Sequence, residues 1–284
     1  MRLLNANTLE FEEFHKNAKP PYIILSHTWG PEEVSYQDIG SAATEEEITR
    51  RSGYDKIVQM ARIATSRNYT YFWIDTCCID KSSSSELQES INSMYHWYQD
   101  SNMCFVYLED GEPLSKDFAQ HEKEFRNIIS KSRWITRGWT LQELIAPRAI
   151  VFSDRYWKVY HLNKPLQNQI VSESAKVPST ALGSGNLGAY SVAQKFSWAA
   201  SRSTTRIEDE AYCLLGLFDI HMPMLYGEGQ KAFVRLQEQL VQTSNDDSLF
   251  AWRSSDSGPY IHRGLLARSP RESLPGTSWR RWKE

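Results

Sequence analysis

Three observations predict an α/β chain, with a small parallel sheet flanked by helices and a mainly helical C-terminal extension. Short apolar runs alternate with amphipathic helical patterns through the first half, the signature of a helix-covered parallel sheet. Each run ends in a polar cluster close to tryptophan, at the strand ends where such sheets place their functional loops. Beyond residue 190 only helical patterns recur.

The elements follow in order. Tyr22-Ile23-Ile24-Leu25-Ser26 is launched by Pro20-Pro21 and closed by Thr28-Trp29-Gly30-Pro31, so it reads as a buried strand. Ile57, Met60, Ala61 and Ala64 fall on one helical face and predict a helix from Gly53. Tyr71-Phe72-Trp73-Ile74 is the second strand and runs into Asp75-Thr76-Cys77-Cys78-Ile79-Asp80. Ser85, with Gln88 three residues on, predicts a capping box for a helix that buries Leu87, Ile91, Met94, Tyr95 and Tyr98. Residues 103–108 and 149–152 are the third and fourth strands. Between them lie a polar helical stretch at 117–130 and a short helix at 138–146 that Pro147 stops. Residues 165–190, rich in Ser, Gly, Asn and Ala, read as a surface loop or boundary. Helical patterns at 191–201, 207–218 and 230–242 complete the chain. The expected division is 1–160 for the sheet domain, 161–250 for the extension packed on it, and 251–284 for a polar tail or the start of a further region.

Composition narrows the function classes. The 284 residues carry 32 basic and 35 acidic side chains, and this balance weighs against nucleic-acid binding through phosphate charge. No run approaches the ~18 apolar residues of a membrane span, so a soluble, cytoplasmic chain is expected. Cys77 and Cys78 are adjacent, while Cys104 and Cys213 lie in apolar runs. Neighbours on an extended segment point to opposite faces, so this pattern suits buried thiols rather than disulfides or a metal site.

Five blocks, in order, resemble the fungal heterokaryon-incompatibility (HET) domain. They are Tyr22-Ile23-Ile24-Leu25-Ser26-His27-Thr28-Trp29-Gly30, Trp73-Ile74-Asp75-Thr76-Cys77-Cys78-Ile79-Asp80, Arg137-Gly138-Trp139-Thr140-Leu141-Gln142-Glu143-Leu144, Glu208-Asp209-Glu210-Ala211-Tyr212-Cys213-Leu214-Leu215-Gly216 and Met222-Pro223-Met224-Leu225-Tyr226-Gly227-Glu228-Gly229. The resemblance implies a role in the programmed cell death that follows fusion of unlike fungal cells, as the effector end of larger sensor proteins. A remoter similarity is to TIR domains. There, too, a first strand ends in a Ser-containing loop, and a helix and a strand lead to a Trp-Cys-Leu-x-Glu-Leu helix. That likeness implies a TIR-like (flavodoxin-like) sheet and aligns Glu143 with the glutamate that cleaves the nicotinamide glycosidic bond of NAD+. Thr140 stands where TIR domains usually have Cys, and the spacer before the helix is longer. It further implies NAD+ as substrate with no cofactor, self-association into homo-oligomers, and a fused or separate NLR-type sensor.

The residues themselves leave alternatives open. On a helical wheel Trp139, Glu143 and Ala146 lie opposite Leu141, Leu144 and Ile145, which allows a solvated glutamate. Trp139, one turn earlier, argues against a fully wet face. Ser26, His27 and Trp29 suit a phosphate- or base-binding loop, or else His27 caps the strand end and Trp29 closes the core. Asp75 is placed to accept from ribose hydroxyls, or to hold the following turn. With Cys77 and Trp139, these residues make the expected substrate pocket. The rival to an enzyme is a non-enzymatic interaction module that recruits death-signalling partners.

Overall fold

Six strands form one mixed sheet. They are β1 (Arg2–Asn5), β2 (Phe11–Glu13), β3 (Tyr22–His27), β4 (Tyr71–Trp73), β5 (Met103–Tyr107) and β6 (Ile150–Ser153), in spatial order β2-β1-β4-β3-β5-β6. The computed structural model describes residues 1–15, 18–40, 45–183, 186–253 and 264–273. β4, β3, β5 and β6 pair in parallel, as the alternating pattern predicts. All six residues of β3 are buried, as a central strand covered on both faces requires.

The wholly parallel sheet expected from the sequence is corrected by the N-terminus. β1 pairs antiparallel with both β2 and β4, adding a hairpin to the β4 edge. Its signal is short: Leu3 and Leu4 are the fully buried pair, and the turn closes on Leu9 at φ 57°.

Helices Ser52–Ser66 and Ser84–Asp100 carry the first two of the three crossovers among the parallel strands. The cap of the second lies two residues before the expected one. Ser83 Oγ, not Ser85, accepts from the Glu86 backbone N–H at 3.3 Å, and Gln88 accepts from Met224 N–H instead of closing a capping box. The stretch expected to be a loop at 165–190 holds the helix Lys164–Ala175, capped by Asn163 and entered through Pro165. Its polar outward positions hid the pattern. Ile170, Val171 and Ala175 face the core, and Arg126 of helix His121–Lys131 reaches across to Glu173.

The single helix expected at 207–218 is two short ones, Asp209–Tyr212 and Leu215–Phe218. The break lets Gly216 touch the Ser84–Asp100 helix, where an added Cβ would lie 2.1 Å from Tyr95 Cβ. Helices Val192–Ala199 and Lys231–Thr243 complete the extension. One apolar cluster runs without interruption from Leu3 of the sheet to Ala267. Of the tail expected at 251–284, residues 254–263 and 274–284 lie outside the described residues. Among the described residues no helix is long and apolar enough to cross a membrane.

Candidate active site

Glu143 lies on the short helix Thr140–Ile145, every residue of which is buried. The sheet on one side and the Ser84–Asp100 helix on the other replace the solvent that the wheel allowed, and Glu143 is only 6% exposed. The solvated alternative is thereby removed. Ser26, next to last on β3 and opposite Val106 of β5, donates its hydroxyl to Glu143 Oε2. Trp134 Nε1 donates to Ser26 Oγ at 2.6 Å. An indole N–H can only donate, so it fills one acceptor position of the Ser26 hydroxyl and leaves the hydroxyl proton available to Glu143. Tyr98 completes the surroundings, with its hydroxyl 3.1 Å from the Leu25 carbonyl.

Burial pushes the Glu143 carboxyl up to about 8, and the charge of Asp75 adds to this. Hydrogen bonding to Ser26 and Tyr98 and the charge of Arg202 pull the other way without overcoming it. The group is therefore mostly protonated at neutral pH. Arg202 is itself buried. Its Nη1 donates to the Arg137 carbonyl (2.8 Å) and to Thr140 Oγ1 (3.0 Å), while Nη2 has no partner. Arg202 thus clamps the helix start rather than pairing with the Glu208–Glu210 cluster.

The remaining candidates divide into two groups. His27 lies between two carboxylates, with Nε2 3.5 Å from Glu33 Oε2 and Nδ1 3.8 Å from Asp75 Oδ1. Its side chain is wholly buried and neither ring nitrogen has a hydrogen-bond partner. Burial works to raise Glu33, but His27 and Lys56 together hold its carboxyl down to about 2. Asp75 Oδ2 accepts from Trp29 Nε1 at 2.8 Å, and Lys81 Nζ sits 3.7 Å over the Trp29 ring. At 47% exposure, Trp29 lies over Asp75 at the surface and does not close the core. Ser26, His27, Trp29 and Asp75 thus gather with Glu143 toward the carboxyl ends of β3 and β4.

Two candidates fall outside this group. Trp139 is half-buried and turned to Asp209, whose carboxyl burial pushes up while Trp139 and Tyr226 pull it back. Cys77 is buried, and desolvation with the neighbouring Cys78 pushes its thiol well up, so it offers no thiolate. The Cys77-Cys78 segment is a turn rather than extended, closed by Cys78 N–H on the Ile74 carbonyl at 2.9 Å. Among the described residues no cluster of three metal-ligating side chains exists.

The second pair of sequence blocks interlocks. Glu208 Oε1 accepts from the backbone N–H groups of Gly227 (2.8 Å) and Gly229 (3.0 Å), while Asp209 accepts from Tyr226 at 2.9 Å. Glu208 and Asp209 therefore hold the glycine turn and the tyrosine before it. Gly138 N–H donates to the Ser203 carbonyl at 2.8 Å, and a Cβ on Gly138 would lie 2.5 Å from Thr204 Cγ2. That contact clips the strand of chain carrying Arg202 to the third block. Sequence reasoning missed the roles of Trp134, Tyr98 and Arg202 at this site. Trp134 sits in a run with no motif of its own, and the shared role becomes visible only when 108 residues of separation close.

The fold and this buried carboxyl group define an α/β chain with an occluded polar site beside its central strand. The family model described as Heterokaryon incompatibility protein (HET) matches residues 22–124, and a second, described as a domain of unknown function (DUF8212), matches residues 231–281. The vegetative incompatibility protein HET-E-1 of Podospora anserina is 43% identical over 235 residues, covering 82% of this chain. This chain belongs to the HET family. It spans 17% of the length of that relative, and the family match ends at residue 124, short of the block that holds Glu143. No solved structure matches the chain significantly.

Proposed function

We propose that this chain is a cell-death effector of heterokaryon incompatibility that hydrolyses NAD+ at the nicotinamide glycosidic bond when it self-associates. The vegetative incompatibility in the relative's name supports the biological role. The observation that carries the chemistry is a single buried carboxyl, Glu143, bonded by Ser26 on a central parallel strand. In chain order the four parallel strands lie second, first, third, fourth, so the crossovers diverge between β3 and β5. Open α/β sheets bind ligands beyond the carboxyl ends of strands at such a divergence.

The C1′–N bond breaks with its electron pair passing to the pyridinium ring, so nicotinamide leaves neutral and needs no acid. Positive charge develops on the ribose, and an ionised Glu143 facing it stabilises the transition state more than the ground state. Water then adds to C1′ and releases a proton. Ser26 and Trp134 hold the carboxyl in place, Asp75 accepts from ribose hydroxyls, and Trp29 stacks on a flat ring. Trp139 is turned to Asp209, and Cys77, a buried neutral thiol, serves only as wall beside Asp75.

Closure accounts for silence in the monomer. A carboxyl that is 6% exposed and held up to about 8 is both covered and protonated. Self-association opens the site, hydrates Glu143 and ionises it. The test is nicotinamide release from NAD+ by dilute and by artificially clustered protein, beside Glu143→Gln. Release on clustering that falls at least a hundredfold in the variant supports the reading; equal release from the variant removes Glu143 from it. The same closure favours the second reading, a non-enzymatic interaction module. Folded, clustered protein that releases no nicotinamide selects that reading.

A further inference from the structure

We propose that the cavity between the β6 edge and the Lys164–Ala175 helix is a binding site for a small molecule with a flat apolar body and an anionic group. The cavity measures about 230 Å³ and lies where the chain passes from Pro147 into β6, two strands away from Ser26. Its floor is apolar, formed by Leu144, Phe152, Val171 and Leu182. Arg148 and Lys164 line it as exposed cations, and among the described residues neither side chain has a hydrogen-bond or ion-pair partner. Two unpaired cations over an apolar floor match a ligand that carries one negative charge on a hydrophobic frame.

A third observation supplies a polar anchor. Gln167 is buried, and its amide makes one long hydrogen bond, Nε2 to the Ile150 carbonyl at 3.4 Å. Its remaining donor and its acceptor have no side-chain or backbone partner among the described residues. Gln167 lines the cavity, and its spare amide capacity is open to a ligand or to water. The apolar floor and this amide select a planar body with a polar edge, and the two cations select its charge. The site is independent of the NAD+ reading, because it shares none of Ser26, His27, Asp75 or Glu143.

The probe is 8-anilinonaphthalene-1-sulfonate, compared with uncharged N-phenyl-1-naphthylamine, on the folded full chain at moderate salt. The expected result is one saturable site for the sulfonate. Its affinity falls at least tenfold in Arg148→Gln/Lys164→Gln and is lost in Val171→Trp, which fills the floor. The double variant changes exposed, unpaired side chains, so its circular dichroism and melting temperature stay unchanged and it tests the charge alone. The proposal is overturned by no saturable binding to the wild-type chain, by binding that survives both variants, or by equal affinity for the neutral probe.

Discussion

Glu143 lies on a helix beside the central strand of the sheet, and its protonation state decides what it can do. A carboxyl whose pKa rises from 4.5 to about 8 on folding contributes stability that is fully present below 4.5. In that window the native state holds a proton that the unfolded state releases, so the contribution is lost as pH rises toward 8. The slope from one such proton is at most about 1.4 kcal/mol per pH unit. Urea unfolding of the wild type between pH 5 and 8 should therefore show a steeper decline with pH than Glu143→Gln. Parallel curves would mean that Glu143 titrates alike in both states. Trp134 acts at the same scale: its donor-only indole fills one acceptor position of the Ser26 hydroxyl and leaves the hydroxyl proton available to the carboxyl.

The elements show where the sequence was legible. The four parallel strands were read from apolar runs, because a strand covered on both faces must be apolar throughout. The β1–β2 hairpin and the Lys164–Ala175 helix were not. Each exposes one side to water, and two to four buried residues in a polar stretch leave a weak pattern. Of the site, Ser26, His27, Trp29, Asp75 and Glu143 were legible through motif resemblance, not through periodicity, which put Glu143 on an outward face. Trp134 and Tyr98 were illegible because their roles depend on contacts across long stretches of chain.

Motif spacing is explained at this scale too. Gly216→Ala drives a Cβ into Tyr95 and should lower stability by about 1–3 kcal/mol or prevent folding, as read by urea denaturation. Glu208→Ala removes the acceptor of two backbone N–H groups. It should cost about 2–4 kcal/mol and raise proteolysis at the Gly227–Gly229 turn. Unchanged protease sensitivity would show that the turn holds itself.

At the scale of the whole molecule, the helical extension and the sheet share one apolar cluster, and Arg202 from the extension clamps the start of the Glu143 helix. A movement of the Glu143 helix start therefore disturbs the contact between the two halves, the link on which the proposed control by self-association rests. The direct measurement is a carbon-13 titration of glutamate side-chain carboxyls, with Glu143 assigned by its loss in Glu143→Gln, on dilute and on clustered protein. The account predicts a midpoint near 8 in dilute protein, falling toward the ordinary glutamate range near 4.5 on clustering. A midpoint near 4.5 in the dilute protein, or one that clustering leaves unmoved, would contradict it.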